Sequence, residues 1–211
     1  MIKIHKLASY TWVEVISPTK EELRQVTNDY QTPVKFQSYM MDRHEQPRAT
    51  YDELSGFGAL VVRAIADQSS ERMLTMPIFL GFSNTLLVTV CHDEKQGKML
   101  SDGAQVEYPS VVEHIISILF DTISPYFDQL DVISHKAEEL EGMHQRSISN
   151  HSLDELAALK TSLVYLRSAT AGNLVALQEL QPTIKTNVTL SSSLMQQSMA
   201  AISDLLSLIH I

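Results

Sequence analysis

Cysteine is almost missing from this chain: Cys91 stands alone among 211 residues. A single thiol excludes an internal disulfide framework and suits a reducing compartment. Glycine is scarce too, with 7 residues, and none of them forms a Gly-rich phosphate loop or a Gly-x-Ser-x-Gly elbow. No run of about 18 apolar residues is present, so no segment has the length and character of a bilayer span. The start, Met1-Ile2-Lys3-Ile4-His5-Lys6, lacks the apolar core of a secretory leader. Basic charge is also in deficit. Lys and Arg number 16 against 25 Asp and Glu, for a net charge of −9. Nucleic acid and anionic membrane surfaces reward Lys and Arg, so this balance argues against both as partners and favours cations instead.

The remaining composition, 44% hydrophobic and 19% charged, is that of an ordinary globular protein. Ile2, Ile4 and Leu7, then Trp12, Val13, Val15 and Ile16, predict two strands around a turn at Ser9-Tyr10. Thr19 with Glu22 forms a capping box, and Pro18 fixes the entry to a helix over 19–29. A second short helix is expected around 34–41, followed by a polar, proline-broken loop over 42–48. Residues 56–65 are a nearly continuous apolar run rich in β-formers and read as a central strand. A polar turn over 67–71 precedes two strands, 74–82 and 85–91, joined at Ser83-Asn84.

From residue 109 the period changes. Leu119, Ile123, Tyr126, Leu130, Ile133, Ala137 and Leu140 share one helical face. A helix over 109–146 would be about 57 Å long. Pro125 predicts either a kink or a fresh start capped by Ser124. After a polar connection at 146–151, Ser152 and Glu155 form a second capping box. Leu156, Leu163, Thr170 and Leu177 then fall seven apart, as do Leu159, Leu166, Asn173 and Leu180. This is a heptad seam with a polar waist at Thr170 and Asn173; an antiparallel helical hairpin and an ordinary core-facing pair both account for it. Pro182 is expected to end this rod. A last helical pattern begins near Leu194 and reaches an apolar end at Ile211, which predicts that the natural chain continues. The expected architecture is α/β (α+β): a mixed sheet flanked by helices over 1–108, then long antiparallel helices and the start of a stalk helix over 109–211.

Chemistry-bearing constellations are few. Eight histidines, at 5, 44, 92, 114, 135, 144, 151 and 210, are scattered, without zinc-ligand spacing. Cys91-His92-Asp93 could be read as a catalytic group, but a strand ending in a polar loop gives the same triplet and an inert thiol. The acidic set Glu113, Asp121, Asp128, Asp131, Glu138, Glu139, Glu141, Asp154 and Glu155 faces only Lys136 and Arg146 across that stretch. Most such runs are solvated helix faces; loose attraction of hydrated Mg²⁺ is the sharper alternative.

The segments also line up with a family. The order is Trp12, then Pro18-Thr19-Lys20-Glu21-Glu22-Leu23, then Gln46-Pro47-Arg48, then Ile78-Phe79-Leu80 with Leu87-Val88-Thr89-Val90. Phe120-Asp121-Thr122-Ile123-Ser124-Pro125-Tyr126-Phe127 follows, then Leu130-Asp131, Glu138-Glu139-Leu140-Glu141, and Leu159-Lys160, Leu163, Leu166-Arg167. The chain resembles the N-terminal cytoplasmic domain of CorA-like divalent-cation transporters over essentially its whole length.

That resemblance implies a regulatory domain of a Mg²⁺/Co²⁺ channel and no enzyme activity. It also implies a homopentamer at the inner or plasma membrane, joined to it through helices beyond Ile211. No tightly bound cofactor is implied; Mg²⁺, Co²⁺ or Zn²⁺ would act as a regulatory ion. Family members often sense Mg²⁺ through an acidic pair on the short helix before the Pro-Arg loop, where this chain has Ser38 and Tyr39. They often carry acids before the Tyr-Phe of the first rod, where it has Ser124 and Pro125. Asp42 and Asp204 are the candidate metal ligands that remain. The alternatives are a ZntB-like zinc transporter domain and a soluble coiled-coil scaffold or adaptor.

Overall fold

The computed structural model describes residues 1–66, 75–103, 106, 108–144, 150–187, 200 and 203. Six strands form one mixed sheet: β1 (Ile2–Lys6), β2 (Thr11–Ile16), β3 (Arg48–Asp52), β4 (Phe57–Ile65), β5 (Thr75–Phe82) and β6 (Leu86–Cys91). Their order is β1-β2-β6-β5-β4-β3, and only the β2/β6 pair is parallel. Both expected hairpins form. The Leu7 N–H donates to the Tyr10 carbonyl, and the Ser83 N–H to that of Leu86.

The chain leaves β2 through α1 (Lys20–Asp29), a 3-10 turn (Val34–Phe36) and α2 (Gln37–Met41), and enters β3 at the opposite edge. The capping box at the start of α1 is complete: Glu22 N–H donates to Thr19 Oγ1, and Thr19 N–H to Glu22 Oε2. Leu23, Val26, Phe36 and Met40 close one face of the sheet over Val13, Val61, Phe79 and Val88. The other face carries Trp12, Leu60, Val62, Ile78 and Leu80, and it is covered by the long helices through Ile115, Leu119, Tyr126, Leu166 and Leu177. Buried on both sides, β4 is apolar almost throughout, as its sequence predicts.

Two elements escaped the sequence pattern. The loop predicted over 42–48 ends one residue early, because Arg48 opens β3. Every residue of this edge strand is half-buried, so no alternation marks it. α3 (Glu94–Gly103) contains two glycines and no apolar period. Its signal is Asp93, whose carboxylate accepts from Gln96 N–H at 3.0 Å. Gly97 is required there, since a Cβ would lie 2.7 Å from Ile16 Cγ2.

α4 (Val111–His144) runs unbroken through Pro125, so Ser124 caps no fresh start. Its core stripe is as read: Leu119, Ile123, Tyr126, Ile133 and Leu140 are buried. α5 (Asn150–Asn187) corrects two expectations. It begins ahead of Ser152, which therefore sits inside the helix, and it continues past Pro182, which therefore does not end it. An exposed proline can remain in a long helix when tertiary packing holds the flanking turns, here Ala176, Leu177 and Leu180. The turn expected at 67–71, the connection at 146–149 and the last helical pattern apart from Ala200 and Ser203 lie outside the described residues.

The heptad seam of α5 faces the sheet. Leu166, Thr170, Asn173, Leu177 and Leu180 are buried, and the helix packs on β3 and β4 as well as on α4. Of the two arrangements the period allowed, the core-facing helix accounts for the buried part of the seam. The sheet occupies the seam from Leu166 to Leu180, whereas Leu156 at its start is exposed. Gly172 lies where Pro47 meets this helix; a Cβ would come within 2.8 Å of Pro47 Cγ. Gly142 of α4 has nothing within 4 Å. Gly142→Ala is therefore expected to raise stability by up to about 1 kcal/mol, the helix-propensity gain, and Gly172→Ala to lower it despite the same propensity gain. Urea unfolding of the two variants checks the opposite signs.

Candidate functional site

Asp42 closes α2. Its N–H donates to the Ser38 carbonyl, and its carboxylate accepts from His44 N–H at 2.8 Å. The side chain is exposed at the head of a loop held by its own bonds, Glu45 N–H to Asp42 carbonyl and Gln46 amide to His44 carbonyl. Ser38 donates its hydroxyl to the Lys35 carbonyl, and Tyr39 lies under the Arg48 guanidinium, 5.0 Å from ring centre to Cζ. Neither replaces a missing carboxylate. Ser124 is exposed beside Pro125, and Asp204 lies outside the described residues. Among the described residues no three His, Cys, Asp or Glu side chains come together to hold a metal.

The acidic residues of α4 do share a face. At 3.6 residues per turn, Asp121, Asp128 and Glu139 fall close to one line along the helix, and Glu113, Asp131 and Glu138 near a second, roughly 80° away. Both lines lie roughly opposite the buried stripe. All but Glu113 are exposed, and Glu113 accepts from Ser110 at the helix start. Asp154 and Glu155 are exposed on α5. Partial burial raises the Asp121 carboxyl above its ordinary value, at the rim of a cavity of about 820 Å³ between α3 and α4. Carboxylates strung along a rod attract cations without enclosing one.

Cys91 and His92 do not form a catalytic pair. The Cys91 thiol is buried, directed at the Asp93 carbonyl 3.7 Å away, and pushed up to about 12, chiefly by burial. His92 Nε2 bonds the Met40 carbonyl at 2.8 Å, and burial lowers its pKa. A thiol that stays protonated is no nucleophile.

One buried polar constellation was only hinted at by the waist of the heptad. Asn173 Oδ1 accepts from the Arg63 N–H at 2.8 Å, and Asn173 Nδ2 donates to the Arg63 carbonyl at 2.9 Å. Tyr126 donates its hydroxyl to that same carbonyl at 2.8 Å. β3 starts opposite Val61, so Arg63 has no strand neighbour on that side, and on the other side it faces Pro77, which has no N–H. The side-chain amide therefore stands in for the missing strand residue. A second buried network lies near the β1 edge. Glu14, fully buried, accepts from Ser101, lies 3.5 Å from Lys3 Nζ and meets His5 Nε2 at 3.1 Å. Trp12 stacks on His5 and meets the edge of His114, which shares a 2.8 Å hydrogen bond with the Tyr10 hydroxyl.

A family model described as CorA-like Mg²⁺ transporter protein matches residues 8–209. The chain belongs to the CorA-like Mg²⁺ transporter family. This family consists of ion transporters rather than enzymes, which agrees with the inert Cys91. Comparison with curated proteins returned no match. Solved structures share the fold. The complete CorA magnesium transporter of Methanocaldococcus jannaschii superposes with a TM-score of 0.78 at 18% identity, covering 96% of this chain and 65% of that one. The ZntB cytoplasmic domain of Vibrio parahaemolyticus gives 0.76 at 12% identity, covering 97% of this chain and 82% of that one. The soluble domain of the Methanocaldococcus CorA gives 0.68 at 18% identity, covering 95% and 85%. The chain thus spans 65% of the length of the first transporter, and no helix among its described residues is long and apolar enough to cross a membrane.

Within this CorA-family chain, His114 is a strongly pH-sensitive group among the described residues. It is 2% exposed, and burial first, then the charge of His5, lowers its pKa to about 4. The folded state thus disfavours a proton that the unfolded state takes up below about pH 6.5, so this contribution is complete above that pH and is lost as pH falls toward 4. Between pH 7 and 4.5 the native protein is expected to lose about 2–3 kcal/mol more than His114→Gln, measured by urea unfolding at each pH.

Proposed function

We propose that this chain is the cytoplasmic regulatory domain of a CorA-type channel for Mg²⁺ or Co²⁺, assembled as a homopentamer. Its match to the family model over residues 8–209 carries the reading. The chain has the fold of the soluble part of such a transporter, and its outward acidic face on α4 supplies carboxylates suited to hard, hydrated cations. A cation bridging acidic faces of adjacent copies neutralises charges that otherwise repel. Copies are then held together when the internal cation is plentiful and loosened when it falls, a population shift set by differential ion binding. Asp42 and Asp204 are the candidate contributors from outside the acidic face.

The ZntB cytoplasmic domain, similar at a TM-score of 0.76, supports a second reading with Zn²⁺ as the ion. Zinc favours His and Cys ligands, and the candidate carboxylates favour Mg²⁺. Melting and sedimentation in EDTA, millimolar Mg²⁺, Co²⁺ and Zn²⁺ test both. An ion at about ten times its Kd stabilises by roughly 1.4 kcal/mol, an upward shift of about 3–5 °C in a domain of this size, with a rise in sedimentation coefficient. A shift with Mg²⁺ or Co²⁺ supports the first reading, and a shift with Zn²⁺ alone the second. Unchanged melting and sedimentation with every ion contradict both.

A further inference from the structure

The Arg63 junction joins three parts of the molecule: the 42–47 loop, α4 and α5. Its backbone is bonded by Tyr126 of α4 and Asn173 of α5. Its guanidinium reaches the other way: Nε donates to Thr75 Oγ1 at 2.8 Å, Nη2 to the Thr75 carbonyl, and Nη1 to the Glu45 carbonyl at 3.0 Å. Glu45 belongs to the loop that Asp42 opens, and its carbonyl is the point where that loop is bonded to β4. No carboxylate lies within ion-pair distance of Arg63 among the described residues, so its cation is satisfied by neutral oxygens alone. A half-buried guanidinium in that state is costly to hold. Its planar fork is the one side chain able to bond a loop carbonyl and a strand at once, which a lysine cannot reproduce. Two residues further along the loop, Pro47 seats against α5 at Gly172, next to Asn173 in sequence. Loop and helix therefore touch directly at Pro47 and are linked a second time, through Arg63, at the neighbouring Asn173.

We propose that Arg63 is a positioning residue that makes the 42–47 loop and the two long helices move as one unit. The assignment of a cation-responsive role to that loop rests on the functional reading above; the mechanical coupling does not. With it, a displacement at Asp42 reaches Tyr126 and Asn173 through the side chain and backbone of one residue. Without it, the loop retains its internal bonds and its apolar seat but loses its polar tie to the helices. Among the described residues the Asp42 carboxylate is a minor electrostatic influence on Arg63, after burial and Tyr126, so neutralising Asp42 with a cation would alter the junction electrostatically as well.

Hydrogen exchange in the whole chain without added ion tests the coupling. Tyr126→Phe removes one hydroxyl from the far side of the junction, and Asn173→Ala removes both amide bonds. Each is expected to raise exchange at the amides of His44, Glu45 and Gln46 by roughly fivefold, the equivalent of one lost hydrogen bond, while the amide of Leu23 in α1 stays unchanged. In an Arg63→Met background, which keeps the apolar stem and removes the fork, the same two substitutions should leave the loop amides where Arg63→Met alone puts them. The proposal is overturned if the loop amides ignore both substitutions, or if they respond equally with and without the guanidinium. Should Asn173→Ala fail to fold, Tyr126→Phe alone decides. Repeating the native measurement in millimolar Mg²⁺ separates the two ideas: loop amides indifferent to the ion count against the functional reading and leave the variant comparison to judge the coupling.

Discussion

Where β4 outruns its neighbour β3, the backbone N–H and carbonyl of Arg63 face the long helices with no strand to pair them, and the amide of Asn173 bonds both. A buried peptide N–H or carbonyl left unpaired costs as much as a lost hydrogen bond or more, so this position cannot be filled by packing alone. The clamp also fixes register. A helix packing on a sheet through leucines alone can slide by a turn at modest cost, whereas an amide bonded both ways to the backbone of one residue admits a single position. With α5 set, Gly172 meets Pro47, Glu179 reaches the Ala49 N–H of the edge strand at 3.1 Å, and Leu166, Leu177 and Leu180 enter the core.

This placement explains how an acidic rod is presented outward. α4 shares the same anchor through Tyr126, and the stripe from Leu119 to Leu140 turns its apolar side to the core, leaving Asp121, Asp128, Asp131, Glu138 and Glu139 to solvent. The charges repel one another along the helix, and the cost is borne by burial on the opposite side. Such a surface gains most from a neighbour or an ion that neutralises it, and among the described residues it gathers no closed set of ligands.

Much of the fold was legible from residue pattern. The Thr19 and Glu22 capping box, the turns at Ser9-Tyr10 and Ser83-Asn84, the apolar strand β4 and the stripe of α4 all express strong local preferences that tertiary packing reinforces. β3 was not legible, because a half-buried edge strand beginning Arg-Ala-Thr has neither alternation nor an apolar run. α3 was hidden by its glycines, one of which exists only because Ile16 crowds it. Pro182 misled for the opposite reason: local rules break a helix at proline, and burial of the flanking turns overrides them, whereas at Pro125 a continuing helix was one of the two readings and is the one that forms. As for the site, Asp42 is exposed and ringed by its own loop, and Ser38 and Tyr39 are engaged elsewhere. Asn173 stood out in the heptad as a polar waist, yet only the sheet shows what it bonds.

The account depends most directly on the claim that Asn173 holds α5 to β4 by hydrogen bonds rather than by filling space. Urea unfolding of Asn173→Leu, a near volume-conserving change that keeps the side chain apolar, tests this alone. The account predicts a loss of about 2–3 kcal/mol, since the Arg63 N–H is left buried and unpaired. A variant within about 0.5 kcal/mol of the native protein would contradict it, because an apolar residue would then serve the junction equally well.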